Sequence, residues 1–396
     1  MTVRVADGPS SSTSMFTRSY VLAVIASHLY FFTYHASIAE VPRALSGQPA
    51  WIIGIVVGAM GLAGMIVRPV VGVWLDGGNR VRMAKMGAIG STIAFVGYAL
   101  DLGPWPMLAF RLLHGLTMAM FTTSLLAVVG AAVPAVRRGA GVGLYQTAGA
   151  VGQLYAAPVA IGLMNTLGAS PTFLLTAGVV AAALIGVWTV HDTYPPVVRT
   201  TVTPWRERAW VSRSAFLPAL VFLSVTAPWG AVTAFLLEFA DERSLANPGL
   251  FYTVVAVSQV GSRASVGWLA DRLKPSLTVV PALFAASIGL LLLSVTHSQS
   301  LLLVSGLLYG LGLASTQTSI VALVIGRTPP AGLGSAMATY SVAWDVGLVV
   351  GGTLFGFVVN ATSPATTFAI LALLPIAGAA LFLLRVARGH EVAVTS

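Results

Sequence analysis

Few ionisable side chains interrupt the long apolar segments of this 396-residue sequence. An ionisable group at the centre of a membrane helix costs at least about 2.5–3.5 kcal/mol, so such groups are candidates for function. One segment contains His28 and His35, which are two helical turns apart and share one face, with Glu40 beyond them. Away from their ends, the other apolar segments contain the charged residues Arg68, Arg111, Arg263 and Asp345. These side chains predict proton transfer or the binding of a charged ligand within a membrane.

The composition requires long membrane helices to position these groups. The chain is 57% hydrophobic and only 8% charged, with a mean hydropathy of +0.88, whereas a soluble domain is about 25% charged. A membrane helix needs about 20 apolar residues, while a β-barrel shows short alternating segments. Pro, Gly and charged residues divide the chain into twelve apolar segments, at 19–40, 51–75, 82–101, 105–132, 139–164, 171–191, 214–238, 249–270, 277–296, 300–325, 333–359 and 364–385. We therefore predict an all-α membrane protein of twelve helices.

The basic residues are distributed unequally between the loops on the two sides of the membrane. Of 21 Lys and Arg residues, sixteen fall on one side, two on the other, and three inside the predicted helices. The positive-inside rule then predicts that both termini are cytoplasmic. Because the net charge of +9 comes from these short loops, we expect no nucleic-acid partner. The chain contains no cysteine, and we expect no disulfide, metal site or bound cofactor.

A polar segment rich in Pro and Arg lies in the middle of the chain, at 192–212. It predicts a cytoplasmic linker between two six-helix bundles, at 18–191 and 213–386. Residues 1–17 and 387–396 are predicted to be cytoplasmic tails.

The two predicted bundles share a sequence repeat. The pattern R-x3-G-x3-D begins at Arg68 and again at Arg263, an offset of 195 residues. Three further pairs of identical residues share this offset: Gly115 and Gly310, Tyr145 and Tyr340, Gly152 and Gly347. Duplicated halves with a substrate site at their interface are a recurrent plan of secondary transporters.

The loop after the second helix resembles the signature of the major facilitator superfamily, G-x-x-x-D-[RK]-x-G-[RK]. It runs from Gly72 to Arg80, with Gly77 and Asn79 departing from the pattern, and a second copy begins at Gly267. The resemblance covers nearly the whole chain and implies the twelve-helix fold of two pseudo-symmetric bundles. It also implies a conformational latch between the bundles, formed by Gly72, Asp76, Arg80, Gly267, Asp271 and Arg272.

The fourth helix contains Arg111, His114 and Gly115 in an arrangement that resembles the R-x-x-Q-G motif of proton-coupled members, with His114 replacing Gln. The resemblance implies that Arg111 faces a central cavity. There it either binds an anionic substrate group or responds to a titrating neighbour such as His35 or Glu40. The alternative is that these side chains only form hydrogen bonds inside the bundle. The Gly-Pro-rich fifth-helix motif of drug/proton antiporters is not met.

Asp345 lies about 20 Å from the cytoplasmic end of its helix, and therefore within the hydrocarbon. This position suits a proton carrier, and the alternative is a structural hydrogen bond. Aromatic and amide side chains on the helices that line the cavity in this family would suit an amphiphilic solute, although each has packing as its alternative role. They are Gln146, Gln153, Tyr155, Trp229, Gln259, Tyr309, Gln317, Tyr340 and Trp344.

The sequence therefore predicts a secondary active transporter that exports a small organic or amphiphilic molecule by alternating access, driven by a proton gradient. The alternative is a proton-coupled symporter that imports a small organic anion or metabolite. Without a P-loop, H-E-x-x-H or G-x-S-x-G motif, neither ATP hydrolysis nor another enzymatic activity is expected. The expected partners are the lipid bilayer, a small-molecule substrate and protons. We expect a monomer in a prokaryotic cytoplasmic membrane.

Overall fold

The computed structural model describes residues 16–77, 80–133, 137–190, 212–270, 273–328 and 333–387. Within these ranges the chain forms twelve long helical segments, which confirms the predicted all-α fold. The first six are α1 (Arg18–Ala44), α2 (Ala50–Gly77), α3 (Arg80–Ala99), α4 (Pro104–Ala132), α5 (Arg138–Leu167) and α6 (Ala169–Trp188). Most of the predicted tails and of the predicted linker lies outside the described residues. The exceptions are residues 16, 17 and 387 of the tails and Ser212 of the linker.

The second six helices follow the same plan, with two interruptions near the end of the chain. They begin with α7 (Arg213–Glu242), α8 (Gly249–Ala270), α9 (Pro275–Ser294) and α10 (Gln299–Arg327). The segment α11 consists of Leu333–Val349, a π-helical turn at Val350–Leu354, and Phe355–Ala361. The segment α12 consists of Pro364–Leu371, Leu373–Leu381 and a π-helical end at Phe382–Ala387.

Local sequence signals set several helix starts. The hydroxyls of Thr17, Ser298 and Ser363 accept hydrogen bonds from backbone N–H groups three residues later, at 3.2, 3.3 and 3.1 Å. Such caps satisfy donors that the first helical turn leaves without an intrahelical partner. At the α5–α6 junction, Gly168 has φ 84°, a backbone conformation that glycine adopts at little cost.

Ten of the helices in the described ranges are long and apolar enough to cross a membrane, and α8 is apolar over Gly249–Ser262. The helix α3 is less apolar because it begins with Arg80, Arg82 and Lys85. Large apolar side chains such as Ile185 lie exposed on the outer surface of the bundle, where lipid would cover them. The protein is thus a multi-pass membrane protein.

Corresponding helices make corresponding contacts in the two halves. A methyl group added at Gly115 of α4 would touch Met60 of α2, and one added at Gly310 of α10 would touch Val255 of α8. Gly152 likewise lies against α1, and its repeat partner Gly347 lies against α7. Small residues allow membrane helices to approach closely, and here they do so at equivalent places in both halves.

The two halves meet chiefly through α2 with α11 and α5 with α8, and α1 also contacts α7. On α2, the glycines at 54, 58, 61 and 64 form a stripe that faces α11. An added methyl group would lie 2.1 Å from the carbonyl oxygen of Gly352 at position 54, and 2.5 Å from that of Asp345 at position 61. The backbones of α2 and α11 therefore touch only because these positions have no side chain.

We expect Gly54→Ala to disfavour this contact and to open the end of the bundle that carries the α1–α2 loop, since the clash is with backbone. The chain has no native cysteine, so a single cysteine introduced as Ala50→Cys reports this opening, because Ala50 is 6% exposed and lies against Gly356 of α11. Its labelling by a water-soluble maleimide should become several-fold faster in the Gly54→Ala background.

Gly162→Ala is the matched control, because a methyl group at this α5 position meets no atom within 4 Å. It should leave the labelling rate unchanged. Equal labelling rates for Gly54→Ala and Gly162→Ala would contradict the assignment of the α2–α11 contact as the closure of this end.

Candidate substrate and proton site

A cavity of about 320 Å³ lies between the two halves and is lined from both. Its volume is at the lower end of the range for small-molecule sites. Seven of the nine predicted lining residues border it: Gln146, Gln153, Trp229, Gln259, Gln317, Tyr340 and Trp344. The N-terminal half adds Phe31, Tyr34, His35, Arg68 and Tyr145, among others.

The other two predicted lining residues lie elsewhere. Tyr309 is buried behind the cavity wall, where its hydroxyl donates to the Val225 carbonyl at 2.7 Å, and its ring stacks on Trp229. Tyr155 is 39% exposed on α5 and contacts His28 of α1. Both residues lie on the predicted helices, but neither is among the residues that line the cavity.

Aromatic rings form much of the cavity wall. On the C-terminal side Phe222 stacks on Tyr340 with ring centroids 4.7 Å apart, and Trp344 lies 6.1 Å from Phe222. On the N-terminal side Tyr34 packs edge-on against His35 at 4.7 Å. Offset and edge-on aromatic contacts of this kind offer flat apolar surface to a ligand.

An ion pair joins the two halves at this cavity. Arg68 of α2 donates from Nε to Oδ2 of Asp345 at 2.9 Å and from Nη2 to Oδ1 at 3.4 Å. The Asp345 side chain is 4% exposed and that of Arg68 is 31% exposed. Of the two residues, Arg68 is the one that borders the cavity, and the acid is buried behind it.

The glycine stripe of α2 makes room for this ion pair. A methyl group at Gly64, one helical turn before Arg68, would lie 3.2 Å from Oδ1 of Asp345. The Asp345 carboxylate therefore reaches into a gap on α2 that only glycine leaves open. Tyr34 of α1 lies near the same pair, within the electrostatic influence of Arg68, Asp345 and Arg111.

The two histidines of α1 occupy different surroundings. His35 borders the cavity and bonds through Nδ1 to the Phe31 carbonyl at 2.7 Å. Because a carbonyl only accepts, this Nδ1 carries the proton. His28 bonds through Nδ1 to the Ala148 carbonyl at 2.8 Å and through Nε2 to the Tyr155 hydroxyl at 2.7 Å. It therefore ties α1 to α5 and is not among the residues that line the cavity.

The family resemblance implies that Arg111 borders the cavity. In the structure, Arg111 instead lies inside the N-terminal half and is not among the lining residues. It is 2% exposed and donates from Nη1 to the Ser37 hydroxyl at 3.0 Å. Glu40, also buried, accepts from Thr176 of α6 at 2.6 Å. His114 lies 3.3 Å from the Tyr98 hydroxyl. These groups form a polar cluster that joins α1, α3, α4 and α6.

This polar cluster contains three buried atoms without a hydrogen-bond partner in the described part of the chain: Glu40 Oε2, Arg111 Nε and His114 Nε2. A buried polar atom without a partner is costly. The cluster thus contains polar atoms whose burial no hydrogen bond among the described residues offsets. Its role in proton binding stays a prediction.

The predicted latch lies largely where side chains are not described. Gly72 and Asp76 belong to the last turns of α2, Gly267 belongs to α8, and Arg80 begins α3. Asp271 and Arg272 lie outside the described residues. The latch therefore stays a prediction.

At the end of the bundle that carries the α1–α2 loop, the structure contains a different contact between the halves. Arg43 of α1 forms an ion pair with Asp241 of α7, and the second Arg43 nitrogen lies 3.4 Å from Asn165 of α5. Thr253 of α8 donates to the Leu154 carbonyl of α5 at 2.6 Å. These contacts close this end together with the glycine stripe.

Two six-helix halves around a polar and aromatic cavity define a membrane transporter. The sequence model of the Major Facilitator Superfamily matches residues 9–316 and 249–395. The chain therefore belongs to the Major Facilitator Superfamily.

Curated relatives of the chain include multidrug efflux proteins. It is 24% identical over 328 residues to the multi-drug resistance efflux pump PmrA of Streptococcus pneumoniae, covering 77% of this chain and 79% of the relative. It is 27% identical over 272 residues to the multidrug resistance protein MdtG of Escherichia coli, covering 66% of each.

Solved structures with the same fold include transporters of several kinds. A mutant of the nucleoside transporter NupG superposes with a TM-score of 0.80 at 15% identity, over 92% of this chain and 99% of that one. A bacterial homologue of the human lysosomal transporter Spinster, in an inward-facing unoccupied conformation, gives 0.78 at 12% identity, over 96% and 98%. At these identities the likeness concerns the fold.

Removing one partner of the ion pair should be costly, and removing both should be much less so. Arg68→Gln leaves Asp345 buried without its cation, at a cost of about 3 kcal/mol, the lower end for a buried pair. We expect a lower melting temperature in detergent, and partial recovery in Arg68→Gln with Asp345→Asn. An equal fall in melting temperature in the single and the double variant would mean that Arg68 and Asp345 do not stabilise each other.

Proposed function

We propose that this protein is a proton-coupled secondary transporter that exports a small amphiphilic organic molecule across a bacterial cytoplasmic membrane. The aromatic and amide lining of the interface cavity supports a solute with both apolar and polar parts. The efflux names of the relatives PmrA and MdtG support export. Alternating access then moves one half against the other around this cavity.

The observation that carries the proposal is the Arg68–Asp345 ion pair, because it connects the halves at the cavity. While Asp345 is ionised, its attraction to Arg68 holds α11 against α2. A proton on Asp345 removes the negative charge, and a neutral acid tolerates burial without a cation. Protonation therefore weakens the contact that must break when the halves move.

The surroundings of Asp345 favour this role over a purely structural one. The charged group that contacts it is Arg68 from α2, while Tyr34 of α1 lies nearby. A structural hydrogen bond would need only a neutral partner, such as the hydroxyl of Thr226 on the neighbouring helix α7. The guanidinium instead stabilises an ionised acid whose charge a proton can cancel.

Asp345→Asn should abolish proton-driven transport and leave the protein folded, because the amide keeps the shape of the acid without its titration. We would measure proton movement with a pH-sensitive dye inside proteoliposomes, challenged with amphiphilic cations, organic acids, sugars and chelating metabolites. The wild type should move protons when its substrate is added, and the variant should not.

Asp101→Asn is the matched control, since it removes an exposed acid between α3 and α4, outside the cavity and within one half. It should keep proton coupling. Full proton-coupled transport by Asp345→Asn would contradict the assigned role. Transport of a substrate without any proton movement in the wild type would contradict proton coupling altogether.

A second candidate function is proton symport that imports a small organic anion. It is favoured by the position of Arg68, which borders the cavity and whose side chain is 31% exposed. An anion bound to Arg68 would compete with Asp345, and the released acid would then bind a proton. Anion and proton would load together, which is the requirement for symport.

Everted membrane vesicles that pump protons inward distinguish the two candidates. A proton-driven exporter should accumulate its substrate in these vesicles, and uncoupler should release it. A proton symporter should instead accumulate substrate in right-side-out vesicles with an acidic exterior. Accumulation in neither preparation would contradict both active-transport mechanisms.

A further inference from the structure

We infer that the substrate of this cavity is an aromatic organic anion whose carboxylate binds Arg68. The inference rests on the proposed function in one respect, that the interface cavity is the substrate site. Arg68 then becomes a specificity-determining residue, a role that its position in the sequence repeat did not indicate.

The charge that borders the cavity is positive. Among the described residues that line it, Arg68 is the arginine, and none is Asp or Glu. The nearest acid, Asp345, is 4% exposed at its side chain and lies behind the guanidinium. A cationic ligand would meet the positive member of the pair first, whereas an anionic ligand would meet a charge-assisted donor.

The geometry of the ion pair leaves donors for a ligand. A guanidinium has five N–H groups in a planar fork, and the bonds to Asp345 use one from Nε and one from Nη2. The Nη2 bond, at 3.4 Å, is longer than the 2.7–2.9 Å usual for an ionised pair. The Nη1 side of the fork takes no part in the bonds to Asp345, and a carboxylate matches its geometry.

The rest of the lining suits the remainder of such a ligand. Phe222, Tyr340 and Trp344 form one stacked aromatic wall, against which a ring can lie flat. The four glutamines of the lining offer neutral amide donors and acceptors around it. The cavity volume of about 320 Å³ fits a molecule of one or two rings.

The aromatic wall by itself would also attract a cation through its ring faces. The probes must therefore share one ring system and differ only in charge. We would compare 2-naphthoate, 2-naphthamide and 2-naphthylmethylamine by calorimetry on the full chain in lipid nanodiscs, without a proton gradient. The wild type should bind naphthoate at least about tenfold more tightly than either other probe, the ratio that one charge-assisted hydrogen bond supplies.

Two variants test the role of Arg68 with opposite signs. Asp345→Asn removes the competing carboxylate, so naphthoate should bind several-fold more tightly than to the wild type. Arg68→Gln combined with Asp345→Asn keeps the pair neutral and hydrogen-bonded, and should lose the preference for naphthoate over naphthamide. Arg243→Gln, which removes an arginine whose hydrogen bonds go to Thr296 and His297 of its own half, should bind all three probes as the wild type does.

Equal affinities for naphthoate and naphthamide in the wild type would overturn the inference. Tightest binding of the amine, lost in Asp345→Asn, would also overturn it and would make the acid the ligand-binding group. Binding of none of the three probes by a preparation with wild-type melting temperature would overturn it as well. Because these are equilibrium measurements, naphthoate binding without proton-coupled transport would contradict the proposed function while supporting this inference.

Discussion

An ionised Asp345 is costly without a cation in a membrane interior, and it has Arg68 as its cation only while α2 and α11 are in contact. This contact in turn depends on the glycine stripe of α2, because a single methyl group at Gly54 or Gly61 would meet the backbone of α11. The closed end of the transporter, the position of the cavity and the burial of the acid are thus consequences of one helix contact. The Arg68–Asp345 pair stabilises this helix contact, and a proton on Asp345 would remove its negative charge.

The close approach of α2 and α11 also constrains the neighbouring helix α7. Gly347 lies against Thr226, and Gly351 lies against the carbonyl of Ala227. The helix α11 is therefore packed through glycine against α2 on one side and α7 on the other. The π-helical turn at Val350–Leu354 begins between these contacts. When α11 moves relative to α2, it stays packed against α7 of its own half. A change at Asp345 on α11 is therefore transmitted to the rest of the C-terminal half.

The sequence was sufficient to predict the twelve helices, because apolar length and the positions of Pro, Gly and charge are local properties. It was also sufficient to select eight of the residues that border the cavity, seven as lining candidates and His35 as a titratable candidate. It did not indicate which face of each helix points inward. A helix in lipid is apolar on the side that contacts lipid and on the side that contacts other helices, so the pattern that orients a soluble helix is weak. For this reason Tyr155, His28 and Arg111 were assigned to the right helices, while their side chains lie away from the cavity.

The partner of Asp345 shows the same limit. Arg68 and Asp345 are 277 positions apart and belong to different halves, so no local pattern joins them. In the sequence, Arg68 is one of the few charges inside the apolar segments and belongs to the repeated R-x3-G-x3-D pattern, but neither property identifies its partner. One available signal was the balance of charge: an acid buried in α11 requires a cation on some other helix, and few arginines lie within the apolar segments. Charge balance therefore allows Arg68, Arg111 or Arg263 as the partner of Asp345. Only the packing of the helices determines which of the three it is.

If the two halves rock as rigid bodies, the buried acids Glu40 and Asp345 differ in whether their surroundings change. Glu40 bonds to Thr176, and the neighbouring Arg111 bonds to Ser37, so these bonds join residues of the N-terminal half. If that half moves as a body, these distances persist in both states, and the affinity of Glu40 for a proton changes little. Asp345 is different, because its cation belongs to the opposite half. A proton can drive transport only by binding one state more strongly than the other. An acid that loses its cation when the halves separate meets this condition, so the proton coupling that we propose belongs at the contact between the halves and not within the buried cluster of the N-terminal half.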